Sequence, residues 1–125
     1  MPSNENILFT GFIDDALLPT LYNGAEAFIY PSFYEGFGLP PLEAMSCMTP
    51  VITSNTTSIP EVTGDSCILI DTSNKTELEE SLLNLLNNNN LKKELSKKGY
   101  ERSLQFSWKQ TAIKTLEAYK EISNH

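Results

Sequence analysis

Pro31-Ser-Phe-Tyr-Glu-Gly-Phe-Gly-Leu-Pro-Pro-Leu-Glu43 is the stretch on which the reading of this chain turns. Ala27-Phe-Ile-Tyr30 before it is a short apolar run stopped by Pro31, the pattern of a buried strand. A glycine turn follows, and then a helix from about Leu39 to Cys47. Pro40 and Pro41 fall in that helix's first turn, where a missing N–H does little harm. Gly36 and Gly38 let the backbone approach a ligand and adopt positive φ. The helix start offers unbonded N–H groups and the positive end of a dipole, which suit an anion such as phosphate. With two prolines at the start, Gly38, Leu39 and Leu42 are the better N–H donors. Glu35 and Glu43 bracket the turn and can accept from hydroxyls. At ~1.5 Å rise per helical residue, the two can line one elongated pocket without touching. A polyhydroxylated phosphate ester fits this combination. The plain alternative is that the acids only favour the dipole of their helix start.

Outward from this stretch, strands and helices alternate. Ile7-Leu-Phe-Thr10, ended by Gly11, reads as a first strand. Asp14 and Asp15 open a helix that runs to about Gly24, which is placed to take a left-handed stop. Val51 to Ser54 and Cys67 to Ile70 are further strands, separated by one helical turn at Pro60–Thr63 closed by Gly64. Beyond them the chain is helical. Lys75 to Leu86 carries Leu78, Leu82, Leu83, Leu85 and Leu86, with Thr72 or Ser73 as its cap. The Asn87–Asn90 tetrad reads as a turn that uses the left-handed tolerance of Asn. Leu91–Leu104 and Trp108–Ile122 are the last helices, and Trp108 reads as a core residue. This alternation predicts an α/β fold: a Rossmann-like parallel sheet of about four strands flanked by helices, with a helical C-terminal segment, in one domain over 1–125. Ligands of such sheets bind beyond the carboxyl ends of the strands, where the glycine turn lies.

The 125 residues suffice for one core. No apolar run approaches the ~20 residues that span a bilayer. Met1-Pro-Ser-Asn-Glu-Asn6 has neither the basic nor the apolar region of a secretory leader. Cys47 and Cys67 match no metal spacing and read as reduced, buried thiols, which fits a cytoplasmic protein. Charge is unevenly placed. Residues 1–74 hold nine acids and no base, whereas the remainder holds nine bases and seven acids. The acidic part argues against nucleic acid as a partner. A phosphate at the glycine turn would rely on backbone N–H groups, or on cations from outside this chain.

Glu35-Gly-Phe-Gly-Leu-Pro-Pro-Leu-Glu43 resembles the E-x7-E signature of family 4 of the retaining glycosyltransferases, which have the GT-B fold. Phe9-Thr-Gly-Phe-Ile13, Leu21 to Ser32, Glu43 to Ile52, Ile59-Pro-Glu-Val-Thr-Gly-Asp65 and Phe106-Ser-Trp108 resemble the family's blocks, in the family's order. The resemblance implies a C-terminal, donor-binding half-domain. It implies that Glu35 contacts hydroxyls of the donor sugar and helps position the reaction, and that Glu43 binds the ribose hydroxyls. Backbone groups of Gly36, Phe37, Gly38 and Leu39 would meet sugar and diphosphate. Gly11, Phe12 and Ile13 would lie near the base. The donor would be a UDP- or GDP-sugar and no metal would be required; Asp14-Asp15 is not an Asp-x-Asp site.

The family's N-terminal acceptor domain has no counterpart in these residues. Neither has the start of the donor domain, which supplies an Arg and a Lys to the diphosphate, so weak donor binding and little or no transfer by the chain alone are expected. Of the family's sheet order 3-2-1-4-5-6, strands 3 to 6 are identified here. The first strand is therefore expected to move beside Ala27–Tyr30, or two copies to join along the open edge. A separate acceptor-binding domain is the other expected partner. Two further readings stay open: a non-catalytic module that binds a nucleotide sugar or a protein, and an unrelated α/β phosphate-binding domain.

Overall fold

The computed structural model describes residues 4–124; Met1–Ser3, at the front of the segment read for a leader, lie outside them. A 3-10 turn, Asp15–Leu17, leads into α1 (Leu18–Gly24). Then follow β1 (Phe28–Tyr30), α2 (Leu39–Ser46), β2 (Val51–Ser54), α3 (Ile59–Thr63) and β3 (Ile68–Ile70). Three longer helices complete the chain: α4 (Lys75–Asn87), α5 (Asn89–Ser103) and α6 (Trp108–Ser123). The sheet is parallel, in the order β1-β2-β3. Phe28 pairs with Val51 and Ile52 with Ile68. Every residue of the central β2 is buried. Its successive side chains point to opposite faces. Val51 accordingly packs with Ala44, Met45 and Cys67, while Ile52 packs with Ile70, Leu85 and Leu95. Helices cover both faces, as a parallel sheet requires.

The expected α/β, Rossmann-like class stands, with three strands. Ile7–Thr10 forms no strand. Ile7, Leu8 and Phe9 are 58%, 85% and 71% exposed. β1 is an edge of the sheet and Ile7–Thr10 does not pair with it, so the expected move beside Ala27–Tyr30 does not occur. An apolar run without a neighbouring strand has no ladder to join, and its backbone groups stay in water.

Several local expectations are also corrected. Gly24 has no positive φ; α1 ends on an extended Ala25 (φ −83°, ψ 140°). The cap of α4 is Asn74, whose side chain accepts from Glu77 N–H at 3.1 Å. Ser73 is spent one step earlier, donating its N–H and hydroxyl to Asp71. Within the Asn tetrad only Asn88 separates two helices, in an extended conformation (φ −121°, ψ 92°), and it caps α5 by accepting from Leu91 N–H. Trp108 is 80% exposed rather than core. Cys67 is buried and Cys47 is only half-buried; neither is in a disulfide. Among the described residues no helix is long and apolar enough to cross a membrane.

α5 seats the helix that carries the site. Gly99 is buried on α5, and a Cβ there would lie 3.2 Å from Met45 Cγ. Glycine in a helix interior costs about 1 kcal/mol relative to Ala; here it lets α5 approach α2 closely. Arg102 fixes the same C-terminal end of α5. Its Nε and Nη2 donate to the carbonyls of Val62 (2.8 Å) and Glu61 (2.6 Å), near the end of α3. These are carbonyls that a helix C-terminus leaves without an internal partner.

Candidate functional site

The loop after β1 is anchored at Glu35. Its backbone N–H donates to Thr57 Oγ1 (3.2 Å) and its carbonyl accepts from Ser58 Oγ (3.1 Å). Its side-chain Oε1 accepts from Tyr30 OH (2.6 Å) and from Ser32 Oγ (3.0 Å). Donation to Glu35 holds the Tyr30 hydroxyl proton above its ordinary pKa, and burial adds to the shift. Thr57 has φ 55°, a left-handed conformation that a β-branched residue rarely adopts. The turn that carries Glu35 is thus clamped from the β2–α3 connection, which the local sequence motif did not suggest.

Gly38 is the N-cap of α2, with φ 99° and ψ 44°. Glycine is required there, because an L side chain is strained in this region. Gly36 does not share the positive φ expected of it. Leu42 is also excluded as a donor to a ligand, since its N–H donates to Gly38 O (3.3 Å). The N–H groups of Gly38 and Leu39 have no hydrogen-bond acceptor among the described residues, as expected for the first turn of a helix.

Pro41, Ala44 and Met45 turn the apolar side of α2 inward, which leaves Glu43 exposed. Glu43 lines a cavity of about 320 Å³ with Asp15, Leu18, Pro19, Tyr22, Ser46 and Cys47. Tyr22 OH donates to Glu43 Oε2 at 3.3 Å. Burial, then the Glu43 charge, pushes the Tyr22 hydroxyl up to about 12. Glu35 is not among the residues that line this cavity; its carboxylate is held by Tyr30 and Ser32, whereas that of Glu43 is exposed. Gly11, Phe12 and Ile13 do not line the cavity either. Gly11 has φ 65° and Phe12 is 93% exposed. Asp15 does line it. Only Asp14 caps the turn, through Oδ1 accepting from Ala16 N–H (3.0 Å). Both acids are helix-start residues, as expected: Asp14 is the cap and Asp15 stands in the first turn.

A second cavity, of about 400 Å³, adjoins Gly36 and Phe37 and is lined by Arg102 and Lys114. The chain folds these two cations towards a loop from which they are more than sixty residues distant in sequence. Arg102 is committed to the α3 carbonyls and to Gln105, and its guanidinium lies 5.3 Å from the Phe106 ring centre. Lys114 has no ion pair among the described residues. Phe106 meets Phe37 edge to face at 5.8 Å. Among the described residues no group of three or more His, Cys, Asp or Glu side chains is arranged to hold a metal ion.

A parallel sheet with a glycine loop and a helix N-terminus at its carboxyl end is a Rossmann-like α/β architecture. Comparison with known proteins places it further. Residues 2–102 match the family of glycosyl transferases group 1, and the chain belongs to that family. It is 43% identical over 114 residues to the O-antigen chain mannosyltransferase B of Escherichia coli, covering 91% of this chain and 30% of that protein. It is 36% identical over 120 residues to the serotype-specific mannosyltransferase WbdA of Escherichia coli, covering 96% of this chain and 15% of that protein. Among solved structures it is similar to sucrose-phosphate synthase from Thermosynechococcus elongatus, with a TM-score of 0.85 and 28% identity over 96% of this chain and 31% of that one. The fold is thus that of a GT-B C-terminal half-domain. The chain spans less than a third of each of these proteins.

Proposed function

We propose that this chain binds the nucleotide-sugar donor for a retaining glycosyltransferase, and that residues 1–125 act as the donor half of the enzyme. Glu43 accepts from the vicinal ribose hydroxyls. The N–H groups of Gly38 and Leu39 meet the diphosphate at the α2 start, with Gly36 and Phe37 beside the sugar. Glu35 accepts from sugar hydroxyls and holds the sugar for transfer. Gly11, Phe12 and Ile13 lie towards the base. The donor is a UDP- or GDP-sugar, and mannose is the first sugar to test, because two of the relatives are named mannosyltransferases. No bound metal is invoked.

The observation that carries this reading is the exposed Glu43 carboxylate about one helical turn after Gly38 and Leu39, whose N–H groups have no acceptor among the described residues. An anion at a helix start and a carboxylate one turn on suit a diphosphate joined to a diol. The acidic first 74 residues weaken the binding. Arg102 is engaged elsewhere, so Lys114, which has no ion pair among the described residues, is the cation of the cavity beside Gly36 and Phe37 left to offset the charge of the diphosphate. Transfer therefore needs a companion domain that supplies cations and the acceptor. Calorimetry with UDP, GDP and their sugars tests this. Binding that falls at least about tenfold in Glu43→Ala, the loss of a charged hydrogen bond, is expected. Equal binding by the variant removes Glu43 from the site, and no binding of any nucleotide by the wild-type chain removes the function.

A further inference from the structure

Among the described residues only Met48 and Thr57 take a positive φ without being glycine, at 60° and 55°. Met48 follows the last turn of α2, where a left-handed residue commonly closes a helix. Thr57 closes no helix. It stands in the turn ahead of α3, and its branched Cβ disfavours this conformation more strongly. Such strain persists only where surrounding contacts hold it, and it gathers at functional sites. The contacts here are with one loop. Thr57 Oγ1 accepts from Glu35 N–H (3.2 Å), Ser58 Oγ donates to Glu35 O (3.1 Å), and Thr56 Oγ1 donates to Phe33 O (3.4 Å). Three consecutive hydroxyls thus grip the backbone between Phe33 and Glu35. Glycine would take φ 55° without strain, but it has no hydroxyl to offer Glu35.

What this grip sets is the direction of a half-buried carboxylate. Oε1 of Glu35 is occupied by Tyr30 OH and Ser32 Oγ. Oε2 accepts no hydrogen bond among the described residues, so it is the oxygen open to a ligand hydroxyl. We propose that Thr57 is a positioning residue for the donor sugar: its hydroxyl holds the Glu35 backbone so that Oε2 meets a sugar hydroxyl. This rests on the reading above in which Glu35 accepts from the sugar. A hydrogen bond weakens steeply once its angle is lost. A loosened Glu35 therefore keeps the nucleotide and loses hold of the sugar. The strained backbone lowers stability while it fixes Glu35, an exchange of stability for activity that sites often show.

Three substitutions separate the parts. Thr57→Val keeps the branching and the strain but not the acceptor. Thr57→Ser keeps the acceptor, and Thr57→Gly removes both strain and acceptor. Calorimetry of the chain with GDP and GDP-mannose, and with UDP and UDP-glucose, gives the ratio of dissociation constants within each pair, in which the nucleotide contribution cancels. In Thr57→Val and Thr57→Gly that ratio is expected to move about threefold to tenfold against the sugar ester, the worth of one hydrogen bond. Binding of the bare diphosphate is unchanged, and Thr57→Ser keeps the wild-type ratio. Thr57→Gly also melts no lower than the wild type, because the strain is relieved. A purely structural Thr57 would instead lose stability and both ligands together. An unchanged ratio in Thr57→Val and Thr57→Gly, or equal weakening of diphosphate and sugar ester, overturns the inference while nucleotide binding stands. If no diphosphate binds to the wild-type chain, the proposed function falls, and this inference with it.

Discussion

α5 and α6 are adjacent in sequence and similar in length, yet their surroundings are opposite. α5 has few apolar residues, but Leu95, Gly99 and Ser103 are buried, and Arg102 ties it to α3. α6 sets Ile113, Leu116, Tyr119 and Ile122 at helical spacing, and none of its residues is buried. The apolar spacing of a helix thus shows that it has a face, not what covers that face. What seats α5 is steric and polar: the absence of a side chain at Gly99, and a guanidinium at a helix end.

The contrast predicts unequal sensitivity. Met45→Ala, on the surface of α2 that meets Gly99, has the largest expected effect, about 2–5 kcal/mol in urea unfolding. Gly99→Leu forces α5 away from α2 and costs on the order of 3 kcal/mol. Arg102→Ala leaves the Glu61 and Val62 carbonyls to water and costs about 1.5 kcal/mol. On α6, Leu116→Ser changes stability by less than about 0.5 kcal/mol, as for other exposed sites. A large loss there shows that the face is covered in solution.

The smallest effect appears only at high pH. Tyr22 holds its proton up to about 12 in the folded chain, against 10.0 for an ordinary tyrosine. The folded form therefore binds this proton more tightly than the unfolded form does. Its contribution is complete below about pH 10 and is lost as pH rises through the folded value. Tyr22→Phe flattens that part of the pH–stability profile, which thermal melts between pH 9 and 12 measure.

Much of this arrangement was legible in the sequence. The three strands of the sheet, the Gly38 turn and the placement of Glu43 on α2 follow from apolar runs stopped by Pro and Gly. What was not legible depends on neighbours. Ile7–Thr10 has the composition of a strand, but a strand exists only where another pairs with it. Trp108 is a common core residue type, yet nothing packs over it closely enough to bury it. Ser73 lost the cap of α4 to Asn74 because Asp71 had already taken its N–H and hydroxyl. Within the site, the motif located both glutamates. It did not reveal that Thr57 and Ser58 clamp one of them, or that Asp15 shares a cavity with the other.

The central claim is that a nucleotide sits between the α2 start and Glu43. Amide chemical-shift mapping by NMR during titration of the wild-type chain with GDP tests it most directly. The account predicts the largest shifts at Gly38, Leu39, Glu43 and Tyr22, with α4 unaffected. Shifts concentrated on α5 and α6, with those four amides unmoved, would contradict it.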